Sequence, residues 1–251
     1  MTQNGFLGTI GWIKGNLMSN SELLDKNYNN ENFYPGSNPP PSSNSTKPEF
    51  PFEIVGNPVV DHKFDVSGFT NSDYIKVGEL DKFTGNYEIG ICFTTPDEAI
   101  LTPTASKSLL GLFSGTSMEY GSLYGRLTCE PTTHGIFISS TKWTSNTGAG
   151  YQTTLCKADK ITNFKANTKY LLRIKRTLDT KYVIIDFSLI DVKAETTFAT
   201  YQYKSLLSDA SDYIKGIADF SHTYIGKMFN ANHGSAYPST IHLAECYFRA
   251  L

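Results

Sequence analysis

From Phe52 to the last residue the chain is a succession of short runs rich in β-branched and aromatic residues, each closed by Gly, Pro, Asn, Asp or Ser. Several runs alternate with a period of two, which is strand periodicity, because successive side chains on a strand point to opposite faces. In Tyr87-Glu88-Ile89-Gly90-Ile91-Cys92-Phe93, the residues Tyr87, Ile89, Ile91 and Phe93 share one face, and Glu88, Gly90 and Cys92 the other. In the run from Tyr170 to Arg176, Tyr170, Leu172 and Ile174 point one way and Arg173 and Lys175 the other, as in a half-solvated antiparallel strand. The run Tyr182 to Ile190 follows a Leu178-Asp179-Thr180-Lys181 turn, so the two runs form a hairpin. Strands are expected over 52–55, 63–67, 73–77, 87–95, 108–114, 123–129, 135–141, 151–156, 169–177, 181–190, 197–204, 221–227 and 239–249. So many short strands in one run of chain make an antiparallel sandwich or a barrel. The one helical stretch, 206–215, is short and broken by Ser and Asp, and reads as a turn of helix inside a connection.

Upstream the pattern changes twice. Residues 35–51 are rich in Pro, Ser and Asn, cannot join a sheet, and read as a linker. Residues 1–34 carry Phe6, Leu7, Ile10, Trp12, Ile13 and Leu17, too few apolar residues for a core and too many for a solvated tail. Phe6, Ile10, Ile13 and Leu17 fit a helical stripe, but Gly5, Gly8, Gly11 and Gly15 each weaken a helix by about 1 kcal/mol against Ala. The segment is expected to gain its structure by docking, with those six apolar residues as an assembly surface for a partner or sister chain. The alternative is that it folds back on its own body. The division is therefore 1–34 anchoring segment, 35–51 linker and 52–251 β-sandwich domain.

Composition narrows the function. The 251 residues include 15 Tyr, 16 Phe and 20 Gly, with charged residues at only 18%, a mix suited to strands and turns. A formal net charge of −2 supplies no broad positive field for nucleic acid or an anionic membrane. No window is apolar for long enough to make a membrane-spanning helix, and the first residues lack the basic n-region of a secretory signal. Cys92, Cys129, Cys156 and Cys246 are widely spaced and read as four buried thiols in strands rather than as disulfides or zinc ligands.

The stretch Phe64 to Val77, with Gly68 and Tyr74-Ile75 in it, resembles the opening of laminin-G-like domains of the concanavalin A-like jelly roll. Tyr87 to Phe93, the Lys169 to Asp191 hairpin, Tyr224-Ile225-Gly226 and Thr240 to Phe248 are similar, in the same order, to later strands of that family. The resemblance covers about residues 60–251 and implies an all-β, concanavalin A-like jelly roll. Domains of this kind on a short N-terminal anchor and a polar linker look like those of fibre and adhesion proteins of tailed bacteriophages. The resemblance therefore implies a homotrimeric virion protein exposed on the particle and attached to other virion proteins through its N-terminal segment. It would be made in the host cytoplasm without a signal peptide, and would bind a host surface glycan.

Chemistry is sparse. A retaining glycosidase needs two carboxylates about 5–5.5 Å apart, yet Glu79 and Asp81 sit in a turn-like stretch and Asp186 and Asp191 fall on opposite strand faces. His62, His134, His222, His233 and His242 are scattered, and neither Gly115-Thr116-Ser117 nor Gly234-Ser235-Ala236 completes a nucleophile elbow. Relatives of this fold often hold calcium, but Asp97, Glu98, Asp159 and Asp219 form no clustered ligand run, so no cofactor is expected, with calcium as the alternative. Binding is better supported, since a sugar site needs an aromatic face framed by polar groups on loops. Trp143, Asn146 and Tyr151 in one loop, Asn230, Asn232, His233 and Tyr237 in a second, and Tyr120 in a third are the candidate carbohydrate ligands, with the alternative that they are core caps or subunit contacts. The expectation is thus a non-enzymatic virion adhesin, with a purely structural decoration subunit and a polysaccharide hydrolase as the alternatives.

Overall fold

The computed structural model describes residues 9–10, 52–55, 59–60, 66–67, 74–78, 82–101, 107–115, 117–129, 134–144, 150–220, 222–225 and 242–251. The chain begins with β1 (Thr9–Ile10), β2 (Phe52–Val55), β3 (Val59–Val60), β4 (Val66–Ser67), β5 (Tyr74–Gly78), β6 (Lys82–Phe83) and β7 (Tyr87–Thr94). A turn of helix, α1 (Glu98–Leu101), precedes β8 (Lys107–Gly115), β9 (Ser122–Cys129), β10 (His134–Lys142) and β11 (Tyr151–Cys156). The remainder is β12 (Lys169–Leu178), β13 (Tyr182–Asp191), β14 (Thr196–Leu206), α2 (Asp212–Lys215), β15 (Ala218–Asp219), β16 (His222–Ile225) and β17 (His242–Ala250).

These strands make an all-β antiparallel sandwich. One sheet runs β14-β13-β12-β7-β17-β4-β3, the other β11-β10-β9-β8-β16-β5-β2, and β6 pairs with β15 as a small ribbon. The alternation decides which faces meet. Ile89, Ile91 and Phe93 of β7, Leu172 and Ile174 of β12, and Val183, Ile185, Phe187 and Leu189 of β13 are buried in one core cluster with Leu123, Leu127, Ile136, Ile138 and Leu155 of the other sheet. Each such side chain withdrawn from water contributes about 1.5–3 kcal/mol before the entropy of ordering it is set against the gain. Phe83, Tyr87, Phe220 and Phe248 close one end of this core, with ring centroids 5.3–5.5 Å apart.

The hairpin of β12 and β13 pairs Tyr170 with Asp191 and Leu178 with Val183. Its turn is fixed by Asp179, whose carboxylate accepts the Lys181 and Tyr182 N–H groups at 2.7 and 2.5 Å. Those two bonds, the Lys181 N–H first, hold the Asp179 carboxyl below its ordinary pKa.

Two strand faces depart from the simple alternation. β7 lies between β12 and β17, so Glu88 and Cys92 are buried along with the apolar face, and the Arg173 guanidinium lies 3.3 Å from the Glu88 carboxylate. Arg173 is therefore an ion-pair partner rather than a solvated charge. On the core face of β12 the alternation continues past Ile174 to Arg176, a cation inside the sandwich with 1% of its surface exposed.

Of the expected strands at 63–67 and 221–227, Val66–Ser67 and His222–Ile225 are strand, and the rest of both runs lies outside the described residues. Cys92, Cys129 and Cys156 are buried in strands, while the Cys246 side chain lies outside the described residues. In the anchoring segment, β1 pairs with β17, Thr9 opposite Tyr247 and Ile10 opposite Cys246. Among the described residues β4 meets β17 at Leu243 opposite Val66, and β1 takes backbone groups farther along β17. Ile10 therefore lies along the body's own sheet; Phe6, Leu7, Trp12, Ile13 and Leu17 lie outside the described residues.

Candidate functional site

At one end of the sandwich the core faces of β10 and β11 run out of apolar residues. Along β10 the face passes from Ile136 and Ile138 to Ser140 and Lys142, and along β11 from Leu155 to Thr153 and Tyr151. Register sets Lys142 opposite Tyr151 and Ser140 opposite Thr153. The short helix α2 packs there. The Tyr213 hydroxyl is 2.6 Å from the Thr153 hydroxyl, and the Ser140 hydroxyl donates to the Tyr213 carbonyl at 3.1 Å. The Tyr213 ring lies at 22° to the Tyr151 ring, centroids 6.4 Å apart.

A four-residue helix has no stability of its own, so tertiary contacts hold α2. Arg176 reaches it from inside the core, donating to the carbonyls of Ile214 at 3.1 Å and Gly216 at 2.8 Å, and to those of Phe83 and Gly85. The guanidinium carbon also sits 4.4 Å from the centre of the Tyr87 ring. Burial pushes the Arg176 pKa down, opposed by the Tyr87 phenol. Burial likewise pushes the Tyr87 phenol up, opposed by Arg176. At the helix end the Gly216 N–H donates to the Asp212 carbonyl at 2.7 Å.

The loop ahead of β9 closes the third side. Gly121 exchanges backbone bonds with the strand after α2, its N–H donating to the Ile217 carbonyl and its carbonyl accepting from Asp219 N–H. It must be glycine, because a Cβ there would stand 1.7 Å from the Tyr213 carbonyl oxygen. Ser117 accepts the Tyr120 N–H at 3.0 Å, and its carbonyl accepts the Trp143 N–H at 2.9 Å, tying this loop to the end of β10. The Lys82 ammonium lies 4.3 Å above the Tyr120 ring and 3.9 Å from Asp219. A hydrogen bond to the Glu119 carboxylate raises the Tyr120 pKa, helped by desolvation and by the charges of Glu119 and Asp219.

The result is an open cleft of about 490 Å³, with Tyr120, Tyr151 and Tyr213 on its walls and Glu119, Lys142 and Asp212 around them. Tyr151 is 64% exposed, a large ring left in water beside the opening. Of the candidates read from sequence, the structure brings Tyr120 and Tyr151 together in this cleft. Trp143 is half-buried next to it, at the end of β10, and is not among the lining side chains. Asn146, Asn230, Asn232, His233 and Tyr237 lie outside the described residues.

The sequence reading passed over Tyr213, Asp212, Lys142 and Glu119. Lys142 and Glu119 were within reach, being neighbours of Trp143 and Tyr120 in the selected loops. Tyr213 had no local signal, since its partner Thr153 is sixty residues away in sequence. Among the described residues no group of three or more His, Cys, Asp or Glu side chains could hold a metal ion.

No protein-family model matches the sequence, and no curated protein matches it. Among solved structures, the enzymatically active domain of bacteriophage CBA120 tailspike protein 2 is similar, with a TM-score of 0.45 at 11% identity, over 78% of this chain and 28% of that one. Winged bean acidic lectin complexed with methyl-α-D-galactose matches with a TM-score of 0.40 at 11% identity, over 81% and 92% of the two chains. Lectin II from Ulex europaeus matches with a TM-score of 0.37 at 10% identity, over 79% and 92%. The chain thus spans little more than a quarter of the tailspike it matches.

Proposed function

We propose that the sandwich is a non-enzymatic carbohydrate-binding module whose site is the cleft between β10, β11, α2 and the loop of Glu119 and Tyr120. The observation that carries this reading is the Tyr151 ring, exposed and stacked against Tyr213 at the mouth of a cleft. A flat aromatic face takes the apolar side of a sugar ring, and carboxylates, an ammonium and hydroxyls around it take the sugar hydroxyls. Both kinds of group are at hand. Binding fits the site better than hydrolysis, because a glycosidase acid is a carboxyl withdrawn from water, whereas the Asp212 side chain is 98% exposed. Adhesion from the surface of a virion, as a trimer assembled through residues 1–34, is proposed on the sequence resemblance alone.

The test is a glycan array probed with the full-length protein and with Tyr151→Ala. Tyr151 is exposed, so its truncation is expected to leave stability within about 0.5 kcal/mol of the parent, and binding is expected to fall by tenfold or more. The pattern is expected to be unchanged in EDTA, because the contacts proposed here are rings, carboxylates, an ammonium and hydroxyls. Binding that survives Tyr151→Ala would place the site elsewhere. No binding by the folded parent would leave the purely structural role as the better reading.

A further inference from the structure

Away from the cleft, the outward face of the seven-stranded sheet holds an arginine with no acid against it. Leu123, Leu127 and Cys129 of β9 point into the core, so Tyr124, Arg126 and Thr128 face out, and Phe137 of β10 faces out opposite Arg126. The Arg126 guanidinium carbon lies 4.9 Å from the centre of the Phe137 ring and 5.9 Å from that of Tyr124, and the two rings meet edge to face at 6.2 Å. The Arg126 Nε is withdrawn from water and has no hydrogen-bond partner. The two terminal nitrogens make no hydrogen bond or ion pair among the described residues either, but they are not shut off from water. We infer that Arg126 is the centre of a second binding site, which takes the carboxylate of an acidic sugar. It is separate from the cleft, because β10 turns Lys142 toward the cleft and Phe137 toward this face.

A guanidinium that has lost part of its hydration and gained no bond is costly. An incoming carboxylate relieves that cost by accepting two parallel hydrogen bonds from the terminal nitrogens. The rings already hold the guanidinium in place, so little side-chain freedom is lost on binding. Room is available as well, since the β8 partner of Arg126 is Gly111, which brings no side chain against it. The charge on the sheet favours an anion. Its seven strands contain Lys76, Lys107, Arg126 and Lys142 but one acid, Glu53, and register sets that acid opposite Lys76.

The groups around Arg126 suit a sugar. The half-buried Thr128 hydroxyl donates to the Gly135 carbonyl at 3.2 Å, which leaves its oxygen free to accept. The exposed Gln152 amide donates to the Ser139 hydroxyl at 2.8 Å, which leaves its carbonyl free to accept. Both acceptors match sugar hydroxyls, which an acidic peptide lacks.

The test titrates the full-length protein with hexamers of galacturonic acid, galactose and glutamic acid, and follows the NMR signal of the Arg126 Nε–H group, assigned by its loss in Arg126→Gln. That signal reads Arg126 in the unaltered protein, so sugar bound in the cleft does not enter. The galacturonate hexamer is expected to move it with a midpoint about tenfold lower than either of the others, as a charge-assisted hydrogen bond allows. In Tyr151→Ala protein, calorimetry should still detect the galacturonate hexamer. Adding Arg126→Lys, which keeps the charge but not the fork, should weaken that binding severalfold, and adding Arg126→Gln should abolish it.

An Arg126 signal that does not move with galacturonate, or moves equally with galactose, overturns the inference and leaves the reading of the cleft untouched. An equal response to the glutamate hexamer overturns the assignment to a sugar.

Discussion

Arg176→Met is the most informative single change, because one buried guanidinium joins three parts of the chain. In the native protein its nitrogens donate to the carbonyls of Phe83 at the end of β6 and Gly85 in the turn before β7, and of Ile214 in α2 and Gly216 just after it. Methionine keeps much of the apolar stem and removes every donor. Four carbonyls then lose their partner. At the low end of the cost of an unsatisfied buried group, about 1 kcal/mol each, the loss is about 4 kcal/mol. Removing a desolvated cation, which makes no salt bridge among the described residues, returns about 1 kcal/mol. The net loss is about 3 kcal/mol.

For a domain of this size each kcal/mol moves the melting temperature by about 2–4 °C, so Tm should fall by about 6–12 °C. Arg176→Lys keeps the charge but not the planar fork, and should fall between the two. Thermal melting followed by circular dichroism reads the magnitude. Hydrogen exchange reads the location: protection should fall over 82–87 and 211–218 and stay unchanged in the hairpin tip at 178–182. A Tm within about 2 °C of the parent, or uniform loss of protection, would refute the reasoning that these bonds hold α2 in place.

Three further outcomes follow from single groups. Gly121→Ala puts a Cβ against the Tyr213 carbonyl, where backbone has no room to yield; urea denaturation should show a loss of about 2 kcal/mol or more, and an unchanged midpoint would mean the close approach is not real. The Cys156 thiol is pushed up to about 12, chiefly by burial, so a disulfide reagent at about pH 8 should modify it only after unfolding. Because the unfolded thiol ionises first, that group's contribution to native stability is full below about 9 and declines as pH rises toward about 12; rapid native-state labelling would contradict this. Asp179 is held below the usual carboxylate range by the Lys181 and Tyr182 N–H groups. Its contribution is present above about pH 3.9 and lost as pH falls through its lower native value, and a carboxyl carbon NMR titration with an ordinary midpoint would disprove the turn geometry.

The hairpin of β12 and β13 was legible because all it needs is local. Alternation marks the two faces, and Asp179 sits where its carboxylate can reach the N–H groups two and three residues on. The same locality made β11 legible at 151–156 and showed 206–215 to be little more than a turn of helix. It could not show that Glu88 would be buried beside Arg173, since that depends on β7 having neighbours on both sides. Nor could it show that the stripe of Tyr170, Leu172 and Ile174 ends in Arg176, a charge whose burial is tolerable only because carbonyls from distant loops converge on it.

The candidate site divides in the same way. Tyr120 and Tyr151 stood out in the sequence as aromatic residues beside glycines in polar loops, a property of each loop alone. That the two loops face one cleft, with Tyr213 and Asp212 from a third connection, was decided by the pairing of Lys142 with Tyr151 and by the contact of Gly121 with Tyr213. The physical reason is range. By itself the sequence determined the strands, their inward faces and the sandwich class, because side-chain alternation and turn chemistry act over a few residues. Only the tertiary structure decided which connections meet at the end of the sheets, because strand order and close backbone approach are settled between residues far apart in the chain.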